Sequence, residues 1–211
     1  MAAASRTSAA PSAPVPDRPT LPKLRDAVQE CRACDLWAGA TQAVFGEGPA
    51  SARVVFVGEQ PGDREDLQGA VFVGPAGHLL DRALADAGIA REQVYLTNAV
   101  KHFRYRQRGK RRIHQRPDAV QVSACRPWLA AELEVVRPRA LVCMGAVAAQ
   151  ALLGPKVRVT RDRGQPLDSD LADDVSVTVH PSSILRAPDD AARRKAYDDF
   201  VADLARVARL K

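Results

Sequence analysis

The chain has 211 residues, 46% of them apolar and 27% charged, with 31 basic and 25 acidic side chains and a formal charge of +6. That is room for one substantial domain with one core, in a composition ordinary for a soluble globular protein. No apolar run approaches the roughly 18 residues that would span a bilayer. The sequence pI of about 9.5 favours an anionic partner without identifying it.

The opening "MAAASRTSAAPSAPVPD" is built of small residues and prolines without periodicity. It predicts a disordered tail over residues 1–19 and a single domain over 20–211. It lacks the apolar core of a signal peptide, so the expectation is a cytoplasmic protein whose cysteines are not structural disulfides.

Past the tail, Leu21, Leu24, Ala27 and Val28 have helical spacing and lead into Cys31 and Cys34, a C-x-x-C pair. "ARVVFVGE" (52–59) is a β-branched run that stops at Gly58 and reads as a buried strand. "GPAGHLLDRALADAG" (74–88) reads as a helix with Leu79, Leu80, Ala83 and Leu84 on one face. "QVYLTNAV" (93–100) is a second strand. Residues 101–116 then hold Lys101, Arg104, Arg106, Arg108, Lys110, Arg111, Arg112 and Arg116, with no acid and no helix or strand pattern. This reads as a loop that docks phosphate, with a simple solvated loop as the alternative. A long helix over 118–136 follows, which Asp118 helps to start and Pro127 can break in two. "RALVCMG" is a third strand, "AVAAQALLG" a helix, "VSVTVHP" a fourth strand, and residues 189–210 a long amphipathic helix.

Strands alternate with helices, which predicts a three-layer α/β/α domain with a four-stranded, mostly parallel sheet. Ligand sites of such sheets lie outside the carboxyl ends of the strands. Those ends carry "GEQPGD", Asn98, "MGA" and "HPSS", so four distant segments are expected at one site. Gly58 and Gly62 allow close backbone approach. Glu59 and Asp63 can orient water or take a proton, and Gln60 can bond a base edge or position an attacking group. A plain polar turn is the alternative for the whole segment. Asn98 can read a pyrimidine edge or cap a turn. Phe72 can stack on a base or fill the core. His180 can donate to a developing anion or be a structural histidine. Four thiols, Cys31, Cys34, Cys125 and Cys143, can hold a [4Fe–4S] cluster or zinc, although Cys125 and Cys143 can equally be packing residues.

Taken together, "GEQPGDREDLQGAVFVGPAGHLLD", "LTNAVK" and "HPSSILR" resemble the motifs of the iron–sulfur uracil-DNA glycosylases. The likeness runs from about Leu21 to the C-terminal helix. Gln60, where family-four members usually have Ala, and the basic insert ending in "KRRIH" resemble the UdgX branch, whose members become covalently joined to uracil-containing DNA. Val71, where the family usually has Pro, departs from the pattern. The resemblance implies that Phe72 stacks on flipped uracil, Asn98 reads its edge and His180 stabilises the departing anion. It implies that Gly58 lies at the uracil, that Glu59, Gln60 and Asp63 shape the pocket around the sugar and that His114 captures the sugar. Lys110, Arg111 and Arg112 would meet the DNA backbone, and Ser182, Ser183 and Arg186 would press in where the base has left. The four cysteines would ligate the cluster. A monomer acting on uracil in DNA, single strands preferred, is the implied mode. The competing expectations are a conventional multi-turnover glycosylase, a non-catalytic nucleic-acid-binding module with a structural metal, and a redox protein.

Overall fold

A computed structural model describes residues 13–210. The central strands are β1 (Val54–Gly58), β2 (Tyr95–Asn98), β5 (Ala140–Met144) and β7 (Asp174–Thr178), all parallel, in the order β2-β1-β5-β7. A fifth strand, β6 (Pro166–Leu167), pairs antiparallel with β7 at the edge. The sheet therefore has five strands rather than four. Two residues carry too little pattern for the sequence to announce a strand, and Pro166 suits an edge.

β1 and β5 are buried along their whole length, as central parallel strands with both faces covered must be. Their side chains alternate between two cores. Val55, Val57, Leu141 and Cys143 join one with α1 (Leu21–Val28), α4 (Ala119–Val136) and α5 (Ala146–Leu153). Val54, Phe56, Ala140, Val142 and Met144 join the other with α3 (Pro75–Asp86) and α8 (Asp190–Ala208). This is the three-layer arrangement the alternation of strands and helices implied. Of the tail, residues 1–12 lie outside the described residues, while Ala13 and Val15 rest against the first core.

Two local expectations change. α4 runs unbroken through Pro127. Its start is fixed by reciprocal bonds in which Gln121 N–H donates to Asp118 (3.0 Å) and Asp118 N–H to the Gln121 side chain (3.0 Å). Its middle is held by Trp128 and Leu129, buried beside the proline. The packing of these side chains outweighs the one backbone bond that Pro127 removes.

The basic segment is not a patternless loop. Tyr105–Arg108 (β3) and Arg111–His114 (β4) form an antiparallel hairpin with Arg108 opposite Arg111. The two-residue turn between them starts at Gly109, whose φ of 58° suits glycine. Lys101, counted with the basic cluster, is fully buried. The other small helices are α2 (Asp63–Gln68), α6 (Val159–Asp162) and α7 (Pro181–Leu185). No helix among the described residues is long and apolar enough to cross a membrane.

Candidate active site

Register puts the carboxyl ends of the parallel strands side by side: Gly58 pairs with Asn98, Val57 with Cys143, and Met144 with Thr178. Over this edge lies a cavity of about 1000 Å³. Glu59, Gln60, Asp63, Phe72, Asn98, His114, His180, Ser182, Ser183 and Arg186 all line it. The four segments expected to converge do so, and β4 joins them through Ile113 and His114.

The floor depends on two glycines. A Cβ on Gly58 would lie 2.4 Å from Asn98 Oδ1 and 2.7 Å from Phe72 Cζ. Only a residue without a side chain lets the aromatic ring and the amide meet above the strand end. Phe72 has a positive φ of 55°, and a Cβ on Gly77 would stand 1.8 Å from its carbonyl oxygen. Phe72 thus belongs to the second core and to the cavity wall at once. Asn98 is 2% exposed, and its Oδ1 has no hydrogen-bond partner. A buried amide oxygen left unpaired beside a cavity is an acceptor awaiting a donor from a ligand.

His180 caps α7. Its Nδ1 accepts the Ser182 backbone N–H at 3.2 Å and lies 2.8 Å from Ser182 Oγ. An amide N–H can only donate, so Nδ1 is the acceptor and the proton of the neutral ring is on Nε2. Burial holds the ring neutral, with its pKa near 4, and His114 and Arg186 add to that. The Ser182 and Ser183 hydroxyls are turned back onto His180, the latter donating to its carbonyl oxygen at 2.7 Å. Both were expected at the DNA; here they also set the histidine.

His114 Nε2 lies 3.5 Å from Glu59 Oε1. Burial and then Arg186 push the His114 pKa below its ordinary value. Burial raises that of Glu59 against the pull of Arg116 and Arg186. A neutral imidazole therefore faces a carboxylate that can take a proton.

Gln60 and Arg112 both act on the hairpin, which is compatible with the positioning role expected of Gln60 and differs from the phosphate contact expected of Arg112. The Gln60 amide accepts from Arg104 N–H (3.1 Å) and donates to the carbonyls of Arg104 (3.1 Å) and Gln115 (3.0 Å). It staples both strands of the hairpin at its base. Arg112, expected on the DNA backbone, is turned inward, with its side chain 16% exposed. It donates to Asp63 at 2.5 Å and to the fully buried Asp66 at 2.6 Å. Its guanidinium lies 5.1 Å from the Tyr105 ring and 5.4 Å from the Phe103 ring. Asp63 is accordingly a hairpin anchor as much as a cavity residue. Lys110 and Arg111 stand exposed at the tip. Asp66, with Thr41 donating to it through N–H (2.9 Å) and hydroxyl (2.6 Å), was not singled out from the sequence. Its signal was an acid in the helical turn after "GEQPGD", the natural counterpart of an inward arginine.

The thiols divide. Burial pushes Cys125 up to about 12, and Cys34 and Cys31 are among the groups that act on it. Burial alone pushes Cys143, inside β5, up to about 12. Cys31, Cys34 and Cys125 thus act on one another, whereas Cys143 lies within β5 and burial is what acts on it. No group of three or more His, Cys, Asp or Glu among the described residues is drawn into a metal-holding arrangement. Next to the trio lies His102, not singled out from the sequence. It is 4% exposed, neutral with a pKa near 4 through burial and then Arg32, and follows Lys101, whose N–H donates to Cys125 Sγ at 3.2 Å.

The model of the uracil DNA glycosylase superfamily matches residues 45–205. The chain belongs to that superfamily. It is 39% identical over 178 residues to the type-4 uracil-DNA glycosylase of Thermotoga maritima, spanning 84% of this chain and 89% of that protein. It is 44% identical over 130 residues to the type-4 uracil-DNA glycosylase of Archaeoglobus fulgidus, spanning 60% and 62%. The Pyrobaculum aerophilum type-4 enzyme is 34% identical over 175 residues, spanning 80% and 86%. The superfamily match takes in the strand-end segments that line the cavity, and the hairpin with His114.

Proposed function

We propose that this superfamily member excises uracil from DNA and is then captured on the resulting sugar through His114, reacting once per molecule. The observation that carries the reading is the meeting, in one cavity, of an unpaired Asn98 acceptor, the Phe72 face, the Nε2–H of His180 and a neutral His114 beside Glu59. The type-4 relatives support the uracil substrate.

Uracil must leave the base stack to reach such a cavity. Asn98 Oδ1 accepts the N3–H, and Phe72 lies against the ring. As the N-glycosidic bond breaks, its electron pair passes to uracil N1 and spreads onto the ring oxygens. The His180 Nε2–H donates to that charge. The sugar is left electron-poor at C1′. One nitrogen of the neutral His114 ring gives its lone pair to C1′, forming a C–N bond. The proton on its other nitrogen passes to Glu59. Imidazole is a better nucleophile than water, and a ring carried on a hairpin that Gln60 and Arg112 hold in place acts at high effective concentration.

The same reading gives Cys31, Cys34 and Cys125 to a [4Fe–4S] cluster, with His102 as fourth donor in place of the Cys143 expected from sequence. The imidazole is buried and already neutral, as a ligand must be. The cluster would supply a cross-link between the N-terminal segment and α4. Purified Cys143→Ala is expected to keep its iron and its visible absorbance, and His102→Ala to lose both. The reverse pattern would return the fourth position to Cys143.

The main reading is tested by mixing the protein with labelled single-stranded DNA carrying one uracil and running a denaturing gel beside His114→Ala. A uracil-dependent band that survives denaturation, replaced in the variant by an abasic strand, is expected. An abasic strand with no adduct from the native protein would make it a conventional glycosylase.

A further inference from the structure

Lys101 is a fully buried cation that the chemistry above leaves unused. Its side chain and that of Glu132 are both 0% exposed and are ion-paired. The ammonium has three donors and three acceptors: Glu132 Oε2, Thr97 Oγ1 at 2.7 Å and the carbonyl oxygen of Asn98 at 2.9 Å. Glu132 is equally saturated. Its Oε1 accepts from Gly46 N–H (3.1 Å), the Tyr95 hydroxyl (2.9 Å) and the Thr97 hydroxyl (2.9 Å).

Burying two charges is expensive even when they are paired, and well-packed apolar residues commonly stabilise a core as well. What apolar residues cannot do is hold a particular carbonyl in a particular direction. Here the held carbonyl belongs to Asn98. The other end of the same arch is fixed too: Lys101 N–H donates to Cys125 Sγ at 3.2 Å, and its carbonyl accepts Val44 N–H at 2.8 Å. Between them, Ala99 and Val100 N–H donate to the carbonyls of Gly58 (2.9 Å) and Glu59 (3.0 Å). Only the Asn98 side chain is left without a partner, at its Oδ1.

We propose that Lys101 is a positioning residue for uracil recognition: it holds the Asn98 backbone from beneath, so that the side-chain amide stands fixed toward the cavity. The inference rests on the reading that Asn98 receives uracil. A misplacement of an orienting group by about 1 Å can lower a rate on the order of 100-fold.

Lys101→Met with Glu132→Leu removes both charges together and leaves neither unpaired. Three quantities are read: inhibition by free uracil, uracil release from single-stranded DNA, and the affinity for the same DNA without uracil. The expected result is a roughly 10- to 100-fold loss in the first two and no change in the third, with a cooperative thermal transition retained. Unchanged inhibition by free uracil in the folded double variant would overturn the proposal. If the double variant has no cooperative transition, Glu132→Gln is read by the same three measurements, since it keeps the acceptor and removes the counter-charge. Asn98→Ala run alongside separates the two layers. If it too leaves free-uracil inhibition intact, the reading of Asn98 has failed; if it abolishes inhibition while the double variant does not, the role of Lys101 alone has failed.

Discussion

The cavity has two sides built on different principles. The base side, Gly58, Phe72, Asn98 and His180, stands on the ends of parallel strands whose register is set by sheet hydrogen bonds and two cores. The sugar side, with His114, stands on a two-stranded hairpin outside the main sheet. That hairpin is held over the cavity chiefly by side chains: the Gln60 staple at its base and the Arg112 clamp on Asp63 and Asp66. The base side is therefore hard to disturb without disturbing the fold. The sugar side can be released by one substitution. On this view, uracil release and sugar capture are separable activities of one cavity.

The sharpest break on the base side is Gly58→Val. Its Cβ would enter the space of Asn98 Oδ1 and Phe72 Cζ, at 2.4 Å and 2.7 Å. Both uracil release and adduct formation should fall by more than about 100-fold, since either ring or amide must leave its place. Single-turnover assays of released uracil and of adduct check this. Release that survives would mean that the base binds elsewhere.

Arg112→Ala is the matching break on the sugar side. It leaves Asp66 buried without its cation and frees the middle of β4. Adduct formation should slow by roughly 10- to 100-fold, while uracil release changes by less than about threefold. Losing one partner of a buried pair costs about 3 kcal/mol, and the partial exposure of Arg112 places the loss below that, seen as a lower melting temperature. Equal loss of both activities would show that the two sides are not separable.

Acid pH tests the base side through His180. Its folded pKa, near 4, lies below the ordinary 6.5. The unfolded chain therefore binds the proton first, and stability falls as pH drops from about 6.5 toward 4, by at most roughly 3 kcal/mol. His180→Gln should flatten that part of the stability–pH curve, measured by urea unfolding at pH 7 and pH 4.5. Capture should fail on the acid side as well, because His114 must be neutral, with a midpoint below the ordinary histidine value. A profile centred above 6.5 would mean that bound phosphates dominate the ring.

How much of this was readable beforehand follows from where each interaction is encoded. β1 and β7 announce themselves as runs rich in β-branched residues and β5 as a short apolar run, and the residues just past them were expected at one site, where they line the cavity. The hairpin did not, because its alternation is written in charged residues. Tyr105 faces His114 and Gln107 faces Arg112, a pairing hidden among like charges. Composition counts Lys101 with the surface arginines, whereas its partner Glu132 lies 31 residues away on α4. Gln60 and Arg112 were recognised as residues that mattered, but a clamp is a tertiary relation. Nothing local distinguishes an arginine aimed at phosphate from one aimed at Asp66. The same limit applies to Cys143, which has the identity of a ligand and the position of a strand core residue.

The smallest effect belongs to the exposed tip. Lys110 and Arg111 are exposed in the turn and at the start of β4, with no acid near them in sequence. Arg112, two residues on from Lys110, is occupied by Asp63 and Asp66. If the tip meets phosphate and the clamp does not, the two kinds of arginine differ in their salt dependence. Lys110→Ala with Arg111→Ala should weaken binding to any single strand, uracil or not, and reduce the slope of log affinity against log salt by about 0.7 per residue lost. Arg112→Ala should leave that slope unchanged while slowing capture. Fluorescence anisotropy over a salt series, on DNA with and without uracil, measures both. A slope that falls for Arg112→Ala and holds for the tip variant would reverse the assignment and place the phosphate contact on the inner face of the hairpin.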